Sequence, residues 1–90
     1  MNKADLIDLI AEDARITKTA AAAAIDSLTE GITRTLQEGK TVRLVGFGTF
    51  AVSEHRARNG RNPQTGAKLT IAARRVPKFT PGKILREALD

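Results

Sequence analysis

Apolar positions recur at three- and four-residue spacing through the first part of the chain. Leu6, Ile7, Leu9, Ile10 and Ala14 fall on one broad helical face. Asn2 is placed to cap that helix, and Asp5, three residues on, favours its positive end. The pattern breaks at Arg15-Ile16, and Thr17 is a good N-cap for a second helix. That helix carries Ala20 to Ala24, then Ile25, Leu28, Ile32 and Leu36, with Gly39 supplying a left-handed stop. From Lys18 to Glu38 it spans roughly 30 Å at ~1.5 Å per residue. The alanine run favours helix and allows a neighbouring helix to approach closely.

After Gly39 the period changes from helical to alternating. Thr41-Val42-Arg43-Leu44 reads as a half-buried strand, and Val45-Gly46-Phe47-Gly48 as a tight turn. Phe47 and Phe50 are assigned to the core, with a second strand from Thr49 through Val52. Between Ser53 and Lys68 the only apolar side chains are Ala57 and Ala67, apart from the turn residue Pro63. This stretch predicts two extended strands joined at Asn62-Pro63-Gln64-Thr65-Gly66, with proline early and glycine late as turn geometry favours. A ribbon without an apolar face has nothing to pack on, so it is expected to protrude as an arm and to order on a partner. Leu69 and Ile71 resume the alternation, Val76 and Phe79 close it, and Pro81-Gly82 leads into a last helix, Lys83 to Leu89, with Ile84, Leu85 and Leu89 facing inward. The reading is an α+β single domain in the order α-α-β-β-β-α. It comprises a helical hairpin base (1–39), a three-stranded antiparallel sheet with a protruding β-ribbon arm (40–82) and a short C-terminal helix (83–90).

The 90 residues include three Phe, no Trp, no Tyr and no Cys, so the chain has few large core side chains and no disulfide to staple it. A small chain of that kind commonly borrows a core by oligomerising. No apolar run approaches the ~18 residues of a membrane span, and the N-terminus lacks a secretory pattern, so a cytoplasmic location is expected.

Charge changes the picture most. Residues 1–39 carry four basic side chains (Lys3, Arg15, Lys18, Arg34) against seven acidic ones, whereas 40–86 carry eleven basic ones and a single acid, Glu54. Such segregation predicts a dedicated electropositive face and a polyanionic partner. Catalysis has little to build on: His55 is the lone histidine, Ser27 and Ser53 have no evident base, and there is no metal-ligand spacing or phosphate-binding glycine loop. The expectation is a non-enzyme with no cofactor, no metal and no small-molecule substrate. The weak aromatic content argues against single-stranded RNA, and cations on a ribbon rather than a helix argue against a membrane surface.

Double-stranded DNA fits the arm. Arg56, Arg58 and Arg61, with Lys68, Arg74 and Arg75 on the return strand, form two rows of cations on a ribbon slim enough to follow a groove. Pro63 places an apolar ring at the tip, where it can enter between base pairs and kink the duplex. Gly60 and Gly66 let the backbone come close, and Asn62 stands with Pro63 among the DNA-binding candidates at the tip. Lys3, Lys83 and Arg86 are candidate phosphate contacts, with the last helix's first amides beside them, and the backbone at Gly46 and Gly48 can approach a strand.

The strings Gly46-Phe47-Gly48-Thr49-Phe50 and Gly60-Arg61-Asn62-Pro63-Gln64-Thr65-Gly66, followed by Phe79 and Gly82-Lys83, closely resemble the bacterial HU and integration host factor family of DNA-bending proteins, and the likeness covers the whole chain. The resemblance implies an intertwined dimer, a homodimer or a heterodimer with a paralogue, whose helices form a base and whose two arms embrace the minor groove. It implies that Pro63 intercalates, that Arg56, Arg58 and Arg61 line the groove, and that Lys3, Lys83 and Arg86 clamp flanking phosphates. It further implies a nucleoid-associated role in compacting DNA, without strong sequence preference. Gln64 at the tip and the end at Asp90 look more like HU than like a site-specific integration host factor subunit. Arg74-Arg75-Val76-Pro77-Lys78 is more basic than that pattern.

Overall fold

The computed structural model describes residues 1–55, 58–61 and 64–90, of which 58, 59, 61 and 68–71 are described by backbone alone. Arg56, Asn62 and Pro63, singled out above, lie outside the described residues. The chain forms two compact units, Met1–Arg34 and Thr35–Asp90.

The first unit is helical. Helix α1 runs Lys3–Ala14 behind a capping box in which the Asn2 side chain accepts from the Asp5 N–H and the Asp5 carboxylate accepts from the Asn2 N–H. It ends on Arg15 in the left-handed conformation (φ 56°), with the Ile16 N–H donating to Ala11 O at 3.0 Å. Helix α2, Lys18–Gln37, starts where Thr17 Oγ1 accepts from the Ala20 N–H at 3.0 Å, as expected of that cap. Its far end closes as a Schellman motif. The Lys40 N–H reaches Thr35 O, the Gly39 N–H reaches Leu36 O, and Gly39 has φ 77°. Two ion pairs join α1 to α2: Lys3 with Asp26 (2.7 Å) and Lys18 with Asp8 (3.2 Å). Ala21, in the alanine run, is fully buried.

The second unit holds the end of α2, from Thr35 onward, and the sheet. Strands β1 (Val42–Leu44), β2 (Gly48–His55) and β5 (Arg74–Pro81) form an antiparallel sheet in the order β1-β2-β5. A separate ribbon pairs β3 (Arg58–Arg61) with β4 (Lys68–Ile71). Helix α3, Lys83–Glu87, follows β5. Strand β2 continues through His55, so Ser53–His55, read as the start of the extended arm, belong to the body sheet instead. Ser53, Glu54 and His55 break the apolar alternation, but backbone pairing with Val76, Arg75 and Arg74 does not require it.

Cross-strand partners share a face of the sheet, and successive residues alternate between faces. One face therefore carries Val42, Leu44, Phe50, Val52 and Phe79. The Phe79 ring lies 4.8 Å from that of Phe50 and 5.5 Å from that of Phe47, within the range of favourable tilted aromatic pairs. Gly48 is buried beside them: a Cβ there would come within 2.6 Å of the Phe79 ring and of Thr80 O.

Burial is shallower than the alternation suggested. Phe47 is 46% exposed, Ile84 66% and Leu89 85%, so these three side chains, read as inward-facing, are largely open to solvent in the single chain.

Candidate nucleic-acid interface

The second sheet face is the polar one. Across its rows run Arg43–Thr49–Thr80, Ala51–Lys78, Ser53–Val76 and His55–Arg74. Arg43, Lys78, His55 and Arg74 are exposed, and no acidic residue stands on this face. Glu54, the acid of the basic segment, pairs with Arg75 in register and belongs to the opposite face. The pleat thus sorts Arg74 and Arg75, neighbours in sequence, to opposite sides of the sheet. Arg43 and Lys78 were not among the residues singled out for DNA. Their signal was the even spacing of Lys78 from Arg74, but Arg43 joins them only through the strand register.

Arg75 is occupied within the protein. Its Nη2 donates to Leu36 O at 2.7 Å and to Gln37 O at 3.1 Å, the terminal carbonyls of α2. Arg74 and Arg75 also flank a surface cavity of about 460 Å³ whose lining includes Glu54, His55 and Ala73.

Beyond the sheet, the ribbon brings candidate positions into register. Arg61 pairs with Lys68, Gly60 with Leu69 and Arg58 with Ile71. At its end Gln64 and Thr65 form a turn, Gly66 has φ 71°, and Thr65 Oγ1 accepts from the Ala67 N–H at 3.3 Å. This matches the expected turn residues, with glycine at the position that needs positive φ.

A second groove, about 580 Å³, runs between the β1–β2 turn and the start of α3, lined by Arg43, Gly46, Thr49, Thr80, Gly82 and Lys83 among others. Gly46 adopts φ 85° there, a conformation glycine takes without steric cost. Gly48 also lines the groove, but the Phe79 ring already accounts for its missing side chain. Helix α3 is only five residues long, and the Gly82 N–H is taken by Phe47 O at 2.8 Å. What this end offers a phosphate is the charge of Lys83 and Arg86, both exposed. Lys83 lies 3.8 Å from Glu87, and Lys3 is engaged with Asp26. Both pairs are solvent-exposed, and such pairs contribute little, typically about 0–1 kcal/mol, so a polyanion can displace them.

Among the described residues there is no cluster of His, Cys, Asp or Glu able to hold a metal, and no helix is long and apolar enough to cross a membrane.

A basic sheet face continued by a β-ribbon is the architecture of a bacterial DNA-binding protein, and the profile of the family described as "Bacterial DNA-binding protein" matches residues 1–90. The chain belongs to that family, within its HU branch. It is 56% identical to the DNA-binding protein HU-beta of Escherichia coli K12 over 90 residues, covering all of both chains. It is 55% identical to HU-beta of Neisseria meningitidis serogroup A over 89 residues, covering 99% of this chain and all of the relative. Among solved structures it is similar to an Anabaena HU–DNA cocrystal structure, with TM-score 0.87 and 46% identity over 99% of this chain and 97% of that one. It also resembles HU from Thermotoga maritima, with TM-score 0.73 and 34% identity over the full length of both.

Proposed function

We propose that this chain is a non-catalytic architectural protein that binds double-stranded DNA as a homodimer, without strong sequence preference, and bends it. The observation that carries the reading is the sorting of charge by the pleat. Arg43, Lys78, Arg74 and His55 share a sheet face free of acids, and the same strands lead into a ribbon bearing Arg58, Arg61 and Lys68. The cocrystal of the Anabaena relative with DNA supports the same partner.

In this reading phosphates meet Lys3, Lys83, Arg86 and the cations of the sheet face, which position the duplex without reading its sequence. Arg56, Arg58 and Arg61 follow the minor groove, where narrowing deepens the negative potential. Pro63 at the arm tip enters a base step and unstacks it, and the bend lets more phosphates reach the body. The dimer is supported by burial: Ala21 is the only buried apolar side chain among the described residues, while Leu9, Leu28 and Phe47 remain 42%, 50% and 46% exposed. The place of such a protein is the bacterial nucleoid.

The test is a random-sequence duplex of about 40 base pairs, long enough for the arms of one dimer, labelled at both ends and titrated with protein. Energy transfer should rise to saturation, and log K should fall linearly with log salt at ~0.9 per phosphate neutralised. A flat salt response defeats the electrostatic account. Binding without a rise in transfer defeats bending.

A further inference from the structure

We propose that Arg75 is a positioning residue rather than a DNA contact: it ties the root of the arm to the C-terminal end of α2. The inference deepens the DNA-bending reading and rests on it for its consequence, though the tie itself is read from the free protein.

Arg75 stands on the second-to-last rung of the β2–β5 ladder, opposite Glu54; the rung His55–Arg74 completes the sheet before the ribbon begins at Arg58 and ends at Ile71. Its guanidinium reaches two carbonyls, Leu36 O and Gln37 O, at 2.7 and 3.1 Å across 39 and 38 positions of sequence. These are carbonyls of the last turn of α2, where the helix leaves acceptors without intrahelical donors and where its dipole concentrates negative charge. The Schellman closure supplies one donor, the Gly39 N–H to Leu36 O. Arg75 supplies a second to the same oxygen and one to Gln37 O, both charge-assisted.

Both bonds leave one nitrogen, Nη2, whose two hydrogens diverge in the guanidinium plane toward the adjacent carbonyls. The tie joins β5, the sheet strand into which the arm returns, to a helix end, and so limits how far the last rungs of the sheet can twist. An arm that must hold a kinked duplex transmits load through those rungs. Arg74 lies on the opposite, polar face, exposed and turned toward the phosphates.

The experiment compares R75A, R75K and R74A in the full chain. Without DNA, amide exchange at Gly39, Lys40 and the His55–Arg74 rung is expected to quicken about tenfold in R75A, the order expected when charge-assisted hydrogen bonds are lost. R75K should restore part of the protection, and R74A should leave it unchanged. With DNA, R75A should keep the wild-type salt slope while the end-to-end energy transfer falls. R74A should lower the slope by ~0.9, one phosphate's worth. Unchanged exchange in R75A, with a slope lowered as in R74A, would overturn the proposal and make Arg75 a phosphate contact. Should the wild-type protein fail to bend DNA, the functional reading falls, while the exchange data still decide whether the tie exists. R75K guards against misreading a general loss of folding: if R75A is unfolded by circular dichroism, R75K alone carries the comparison.

Discussion

Gly48 shows how a single position can be fixed by a neighbour far along the chain. Its Cβ would press to 2.6 Å on the Phe79 ring and on a backbone carbonyl, and the carbonyl belongs to a paired strand that cannot easily retreat. Gly48→Ala should therefore destabilise the fold by about 1–3 kcal/mol, the usual cost of overpacking, read as a lower urea midpoint with unchanged slope. An unchanged midpoint would mean that the ring swings aside. The sequence marked Gly48 for approach to DNA; the packing constraint on it comes from Phe79, which only the register brings opposite Phe50 and beside Gly48. Lys3 poses a different question, since its ammonium is already 2.7 Å from Asp26. Asp26→Asn should alter stability by less than about 1 kcal/mol, both groups being more than half exposed, and should tighten DNA binding at low salt because Lys3 no longer has to leave a partner. Unaltered affinity in a filter-binding or anisotropy titration would remove Lys3 from the phosphate contacts.

At the scale of elements, the helices were the most legible because their caps are local chemistry. Asn2, Thr17 and Gly39 each sit where the sequence placed them. Arg15 was legible only as a break. Left-handed closures are signalled by glycine or asparagine, and an arginine at φ 56° gives no such signal. Since the left-handed region costs an L-residue roughly 1–2 kcal/mol and glycine gives back part of that in chain entropy, Arg15→Gly should stabilise the protein by about 0.5–1 kcal/mol. A lower thermal midpoint in calorimetry would show that the Arg15 side chain contributes more than its backbone costs. The sheet was half legible. Alternation located β1 and the start of β2, but not the polar rungs Ser53 to His55, which are held by pairing with β5 rather than by an apolar stripe. The same blindness hid the separation of Arg74 from Arg75, because parity has meaning only once the register is known. For the arm, Pro63→Ala should reduce the bend more than the affinity, since phosphate contacts remain when the wedge is lost. Equal bend angles in wild type and variant, by energy transfer, would dismiss intercalation.

The whole molecule sets a problem that one chain does not solve. Beside the buried Ala21, the larger apolar side chains of the helices stay substantially open: Leu6 at 40%, Leu9 at 42% and Leu28 at 50%. The second unit does little better, with Phe47 at 46%, Ile84 at 66% and Leu89 at 85%. Burying a Leu or Phe side chain is worth about 1.5–3 kcal/mol, and a domain is stable by only about 5–15 kcal/mol, so leaving several half-buried forfeits a large part of the total. There is no cysteine to staple the chain. In the proposed dimer a second copy would cover these side chains and restore the missing burial, coupling folding to association. The measurable consequence is a thermal midpoint that rises with protein concentration, because the dimer is favoured over unfolded chains by mass action. Leu28→Ser should steepen that dependence by weakening association, and should lower the midpoint most in dilute solution. A midpoint independent of concentration over a hundredfold range, with a monomeric mass by sedimentation, would show that the chain is stable with its apolar face open, and the two-armed grip on DNA would fall with the dimer.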